Sequence, residues 1–171
     1  MTGTSVCPGC GAVMVDIEGP THAYMISSAA CYAAFTTILA AEYSDPRLRP
    51  THRLSVDSFA VQHPGDGKDR RAIQSVGMHL VRLMAQREQS LMPEQVNDIM
   101  VRLGPHKSEL SALAAPDSYS VTAADVAPFA GGPHHADKVT AWADSTLQAW
   151  KHVQPDLKNW AAPLLGDLTS W

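Results

Sequence analysis

Apolar residues recur at helical spacing through most of the chain, and this pattern predicts a helical protein. The stripe is clearest over residues 69–88, where the i, i+3, i+4, i+7 spacing buries one side of a helix. Further helices are predicted from about Thr21 to Asp45-Pro46, over 51–65, from Pro93 to Gly104-Pro105, and over 134–153. Val13-Met14-Val15 is at most one short strand, so no sheet is expected and the fold class is all-α.

Local signals place the helix ends and the connecting segments. Thr21 is a suitable N-cap for the first helix, and Pro93 fits the first turn of the fourth. A short helical piece is expected around Leu110–Leu113, and Thr122-Ala-Ala-Asp125 has the order of a capping box that opens one more turn. The tail after Pro155 is expected to pack across the end of the bundle through its tryptophans.

These elements predict a single domain over residues 1–171, built as a four- to five-helix bundle. Residues 1–22 form a Cys-containing, metal-binding loop, 23–153 form the bundle, and 154–171 form the packed C-terminal tail.

The stretch from Thr51 to Gly65 combines a helix with three side chains able to do chemistry. His52 and His63 are eleven residues apart, which is about three helical turns, so both imidazoles lie on one mostly apolar face. Asp57 lies about 140° around the helix from His52. The three groups therefore cannot all bind one metal ion, and the carboxylate is expected to meet a partner on another helix.

The run Cys7-Pro8-Gly9-Cys10-Gly11 has the form of a zinc-binding turn. Two thiolates three residues apart, on a turn made by Pro and Gly, hold one side of a tetrahedral zinc. Cys31 is the expected third ligand. The candidates for the fourth are His22, His52 and His63. Zinc is the expected ion, although another transition metal would fit the same donors.

Two other interpretations of the cysteine pair remain open. A redox-active C-x-x-C pair usually opens a helix within a βαβ pattern, and that pattern is missing here. The pair could also be two thiols in a loop without a special role.

Histidine is abundant, with 8 in 171 residues, and several histidines fall on or beside apolar faces. We predict that His52, Asp57 and His79 line a pocket and act as catalytic groups, with the carboxylate or an imidazole as general base. His135 also lies on an inward face. For any one of these histidines the simpler interpretation is a buried, hydrogen-bonded side chain or a helix cap.

The charged run Lys68-Asp69-Arg70-Arg71 opens the third helix, where cations oppose the helix dipole. It could meet an anionic ligand or the carboxylates of neighbouring helices, while a solvated charged turn is the simpler interpretation.

Composition narrows the classes of function. The net charge is −4 and the 13 Lys and Arg form no long basic run, so nucleic-acid binding is not expected. The apolar segment from Ala23 to Tyr43 is interpreted as a buried helix rather than a membrane span, because it carries several Ser and Thr and no second span follows. Three cysteines without an export signal predict reduced thiols or metal ligands in the cytoplasm rather than disulfides.

Several runs of the sequence resemble an uncharacterised bacterial family, domain of unknown function 5946. They are CPGCG (7–11), GPTHAYMISSAAC (19–31), HRLSVDSFAVQHPG (52–65), RRAIQSVGMHLVRL (70–83), VTAADV (121–126) and the His-to-Trp helix (135–150). The position after Cys31 is usually Trp in that family and is Tyr32 here. The resemblance implies no activity, but it places in the family's motifs the candidates Cys7, Cys10, His22, Cys31, His52, Asp57, His63 and His79.

The sequence thus leads to a small metal-binding helical protein with a His/Asp-lined pocket, interpreted first as a metal-dependent enzyme. In that interpretation zinc with an open position activates water. The alternative is a non-enzymatic, zinc-stapled binding or regulatory module. A third hypothesis, by architecture alone, is a likeness to three-histidine, metal-dependent four-helix bundles such as the DinB-like proteins. The partner is an unspecified small molecule or protein.

Overall fold

Helices make up most of the chain, and a small two-stranded sheet precedes them. The computed structural model describes residues 3–171. Its strands and α-helices are β1 (Thr4–Val6), β2 (Val13–Val15), α1 (Ala29–Ser44), α2 (His52–Gln62), α3 (Arg70–Arg87), α4 (Pro93–Leu103), α5 (Ala123–Val126), α6 (His135–Ala149) and α7 (Gln154–Leu165). Short 3-10 helices span Pro46–Thr51, Gly104–Glu109, Ala127–Phe129 and Gly166–Leu168.

The prediction of a mostly helical fold is confirmed, and so are the positions of α2, α3, α4 and α6 within a few residues at each end. The capping box is also confirmed, because the backbone N–H of Thr122 donates to Asp125 Oδ2 at 2.8 Å. The number of helices differs from the prediction. Residues 3–171 contain seven α-helices rather than four to five, and one of them, α5, is a single turn.

The first helix begins later than predicted. It starts at Ala29, where Ser28 is the N-cap and accepts a hydrogen bond from the Cys31 backbone N–H at 3.2 Å. The preceding residues do not need a helix to satisfy their backbone, because His22 Nδ1 accepts from the N–H groups of both Tyr24 and Met25 at 3.3 Å. The N-cap prediction for Thr21 was therefore wrong.

The N-terminal segment forms a β-hairpin rather than one strand in a loop. β1 and β2 pair antiparallel, with Ser5 opposite Met14 at the centre. The cysteine turn connects the two strands, so the hairpin fixes where this turn sits on the helices.

One further prediction was wrong. The segment around Leu110–Leu113 is not helical. Arg70 holds this segment through hydrogen bonds to the carbonyl oxygens of Ser108 and Leu110, both at 2.8 Å. Most of the tail is the helix α7, which Pro155 opens in its first turn. As predicted, the tail's Trp160 and Trp171 pack against the core.

Helix α2 lies between α1, α3 and α6 and positions most of the polar groups described below. Its apolar face meets α1 through Phe59, whose ring stacks on Phe35 with 4.0 Å between centroids. Asp57 lies on another side of α2 and meets α3. This agrees with the angle that separates Asp57 from His52 on an ideal helix.

The described residues contain no helix that combines the length and the apolar character needed to cross a membrane.

Candidate metal centre

Four buried side chains from three separate segments meet beneath the hairpin. Cys7 and Cys10 come from the turn between β1 and β2, Cys31 from the first turn of α1, and His63 from the C-cap of α2. Their ligand atoms all lie within 4.8 Å of one another, and this is the one His/Cys/Asp/Glu group of metal-site geometry among residues 3–171.

The distances within this Cys3His cluster fit a tetrahedral zinc. Four ligands at zinc–sulfur distance around a common centre are about 3.8 Å apart, and sulfur–nitrogen pairs are slightly closer. Cys10 Sγ and Cys31 Sγ are 3.6 Å apart. His63 Nε2 lies 3.4 Å from both Cys7 Sγ and Cys31 Sγ. No disulfide joins the cysteines, so the donor set is three thiols and one imidazole.

The cysteine turn has the local geometry that this cluster requires. The Cys7 backbone N–H donates to the carbonyl of Ala12 at 2.8 Å, and the Gly11 N–H donates to the carbonyl of Cys7 at 2.9 Å. Gly11 has a positive φ of 77°, which favours glycine. Gly9 is tightly enclosed. A Cβ there would stand 2.5 Å from the carbonyl oxygen of Ile26, in the loop before α1, and would overlap the His63 ring at the end of α2.

His63 is held in one tautomer and one orientation. Its Nδ1 donates to the carbonyl oxygen of Phe59, one turn earlier, at 2.6 Å. Its ring packs on the Phe59 ring with 4.0 Å between centroids. Because Nδ1 carries the proton, Nε2 keeps its lone pair, and Nε2 is the atom that faces the thiols. Backbone support of this kind is typical of a metal-binding histidine.

The proximity of the three thiols separates their acidities. The thiols of Cys10 and Cys31 donate hydrogen bonds toward Cys7 and lower the pKa of Cys7 despite its burial. The pKa of Cys31 is raised, because its thiol bonds to Cys10 and Cys7 and is buried. A cation bound among them would favour the thiolate form of all three.

His22 is not part of this cluster. Its Nδ1 is occupied by the N–H groups of Tyr24 and Met25, so it supports the loop before α1. The structure therefore brings together four of the five predicted metal ligands. It supplies His63, and not His22 or His52, as the fourth donor.

The predicted catalytic residues are divided between two other networks. His52 belongs to the first, where its Nδ1 lies 3.0 Å from Glu42 Oε2. Oε1 of the same fully buried glutamate accepts from Thr51 at 3.0 Å, from Ser55, and from His135 Nε2 at 3.1 Å. We call this group the Glu42 network.

Asp57 and His79 meet in the second network, with Asp57 fully buried. His79 Nδ1 lies 2.7 Å from Asp57 Oδ1. Arg82 donates from Nε to both carboxylate oxygens at 2.8 and 3.0 Å, and Gln86 donates to Oδ2 at 2.7 Å. Two of the three predicted catalytic residues thus touch each other, while His52 does not join them.

Sequence reasoning missed Glu42, Arg82 and Gln86 as members of these networks. The sequence position of each of these residues could have indicated its role. Glu42 continues the buried stripe of α1 at i+11 from Cys31, and a glutamate on such a stripe needs buried partners. Arg82 and Gln86 follow His79 at i+3 and i+7, on the same face of α3.

The fold and the cluster define a class, a mostly helical protein with a buried Cys3His group positioned to hold a metal ion. The chain matches the family of unknown function DUF5946 over residues 5–151, and it belongs to that family. The resemblance drawn from its motifs is therefore confirmed. No curated protein and no solved structure matches the chain.

Proposed function

We propose that this protein binds one zinc ion through Cys7, Cys10, Cys31 and His63, and that the zinc is a structural staple of a binding or regulatory module. The observation that carries the proposal is the closed set of four buried donors at tetrahedral spacing. Three thiolates and one imidazole are a common ligand set of structural zinc sites.

The donor types favour zinc over other biological ions. Sulfur-rich tetrahedral sites select zinc or iron–sulfur clusters, whereas magnesium, calcium and manganese prefer oxygen donors. The single imidazole, with Nδ1 fixed on the Phe59 carbonyl, suits mononuclear zinc. Free thiols at such a site suit a reducing compartment such as the cytoplasm.

The staple would join segments that are distant in sequence. Cys7 and His63 are 56 residues apart, and Cys10 and Cys31 are 21 apart. One ion would therefore connect the hairpin, the start of α1 and the end of α2. Metal binding of this kind contributes directly to folding free energy.

Four protein donors leave no open coordination position for water or substrate, which a catalytic zinc needs. Cys7, Cys10, Cys31 and His63 are at most 4% exposed. These features support the non-enzymatic module over a metal-dependent enzyme. A third hypothesis, the three-histidine bundle, has no support in residues 3–171, where no three-histidine metal group occurs.

The proposal is tested by elemental analysis of purified, untagged protein. We expect one zinc per chain in the wild type and substoichiometric zinc in Cys10→Ser and His63→Gln. His22→Gln is the matched control, because this histidine was a candidate for the fourth ligand but lies outside the cluster, and it should keep the full zinc content.

Two results would overturn the proposal. One is wild-type protein that holds no metal even after refolding with zinc. The other is a reversed pattern, in which His22→Gln loses zinc and His63→Gln retains it.

A further inference from the structure

A groove beside His79 lies apart from the Cys3His cluster and is not explained by the proposed zinc staple. It has a volume of about 390 Å³ and is formed by α3, the end of α4 and the loop before α1. The residues that matter for its chemistry are Tyr24, Arg71, Met78, His79, Met100 and Lys107.

His79 presents one defined nitrogen to this groove. Its Nδ1 lies 2.7 Å from Asp57 Oδ1, a contact that requires the proton on Nδ1. Nε2 has no hydrogen-bond partner among the described residues, and the side chain is 21% exposed. The imidazole is therefore held from behind by a fully buried carboxylate and is open at the nitrogen that faces outward.

The support behind His79 is stronger than a surface histidine needs. Asp57 also accepts from Arg82 and Gln86, so the carboxylate is satisfied and stays in place. Such a network fixes the direction and tautomer of the ring, as in sites where an imidazole exchanges a proton or a hydrogen bond with a ligand.

The rest of the groove is lined by two cationic side chains and by apolar ones. Lys107 is exposed and has no ion-pair partner within residues 3–171. Arg71 is 64% exposed, lies 5.4 Å above the Tyr24 ring, and pairs with Asp69 at 3.1 Å. No carboxylate is among the groove-lining residues. The methionines and the tyrosine ring supply the apolar surface.

His22 provides a second indication of positive potential here. Its pKa is lowered, first by burial and then by the charges of Arg71 and His79.

We propose that this groove binds a small organic anion with an apolar portion. Its phosphate or carboxylate group would lie between Arg71 and Lys107. His79, in the doubly protonated form that Asp57 stabilises from behind, would donate a hydrogen bond to this group from Nε2. Two cations and an oriented imidazole recognise the anionic group, while Met78, Met100 and Tyr24 contact the apolar part. The site is independent of the zinc ion, so either proposal can fail without the other.

The test is an NMR titration of isotope-labelled, zinc-loaded protein that follows the imidazole resonances of His79. Phenyl phosphate, benzoate and inorganic phosphate are added separately, so that the three arms distinguish phosphate from carboxylate and the anion from its apolar portion. We expect saturable shifts with phenyl phosphate or benzoate and weaker binding of inorganic phosphate.

Three variants test the residues. Arg71→Gln and Lys107→Gln should each weaken binding about tenfold, and both lie on the surface, where folding is not at risk. His79→Gln should weaken it too, and in this variant the backbone amide resonances of the groove residues report binding. His134→Gln is the control, because His134 does not line the groove, and it should leave the affinity unchanged. The proposal would be overturned if none of the three probes gave saturable shifts. It would also be overturned if the Arg71 and Lys107 variants bound the probes as tightly as the wild type.

Discussion

The antiparallel pair α1–α2 is joined at both ends by buried polar groups, and the two ends are satisfied in different ways. At one end, Glu42 accepts hydrogen bonds from donors on Thr51, Ser55, His52 and His135. At the other end lies the Cys3His cluster, with three sulfur atoms and one ring nitrogen. The contacts Cys7–His63, Cys31–His63 and Cys10–Cys31 join these atoms at 3.4 to 3.6 Å.

The difference lies in what completes each end. A carboxylate has about four acceptor positions, and four protein side chains contact that of Glu42, three at Oε1 and one at Oε2. His135 also has both nitrogens engaged, since its Nδ1 accepts from the Gly131 N–H at 3.1 Å. Thiols are weak donors and weak acceptors, so the cluster gains little from its own contacts. The Glu42 end is therefore satisfied by protein hydrogen bonds, whereas the Cys3His end has the donor atoms of a cation site.

The largest effect should come from removing the metal. Structural zinc sites contribute about 10 kcal/mol or more of apparent binding free energy, so treatment with a strong zinc chelator should lower the melting temperature by about 10 °C or more. Circular dichroism and calorimetry before and after chelation measure this. An unchanged melting temperature in protein shown to be metal-free would contradict a structural role for the ion.

Breaking the Glu42 network should destabilise the protein without changing its zinc content. Glu42→Gln removes a buried charge whose partners stay behind, which costs about 3 kcal/mol. Chemical denaturation measures the loss, and zinc content should remain one per chain. Asp45→Asn is the control, because this carboxylate three residues later pairs with Arg47 near the surface and should change stability little. Loss of zinc in Glu42→Gln would show that the two ends are coupled.

Zinc affinity should rise with pH. The Cys31 thiol lowers the pKa of Cys10, but the hydrogen bond with Cys7 and burial outweigh it and raise that pKa to about 11. The pKa of Cys31 is also raised, so both thiols are protonated at neutral pH and must release protons when zinc binds. Each proton released makes affinity increase about tenfold per pH unit.

Competition with a zinc indicator across neutral pH measures this slope, and calorimetry in buffers of different ionisation enthalpy counts the protons. Because Glu42→Gln leaves the thiols unchanged, it should show the same slope. An affinity that is independent of pH would show that zinc binding releases no protons from Cys10 and Cys31.

The smallest effect should come from Gly9→Ala. The added Cβ would stand 2.5 Å from the Ile26 carbonyl oxygen and against the His63 ring, so the cysteine turn would have to shift. We expect zinc binding about tenfold weaker with the Glu42 network intact. Gly104→Ala is the matched control, since a Cβ there meets nothing within 4 Å. Equal zinc affinity of the Gly9 and Gly104 variants would show that the cysteine turn can shift without weakening zinc binding.

Much of this protein follows from local pattern. Helical periodicity located α2, α3, α4 and α6, because one buried stripe per helix is a property of neighbouring residues. The spacing of Cys7 and Cys10 predicted half of the Cys3His cluster for the same reason. Helix geometry also separated His52 and His63, which both contact α1, from Asp57, which contacts α3.

Other features depend on contacts between segments distant in sequence, and local pattern could not supply them. One example is that His63 rather than His22 joins the three cysteines, because this depends on where the hairpin packs against the end of α2. The β1–β2 pairing and the partners of Glu42 are others. A spacing along the chain fixes directions within one element, whereas a four-donor cluster requires the relative placement of three elements, which packing of the whole core sets.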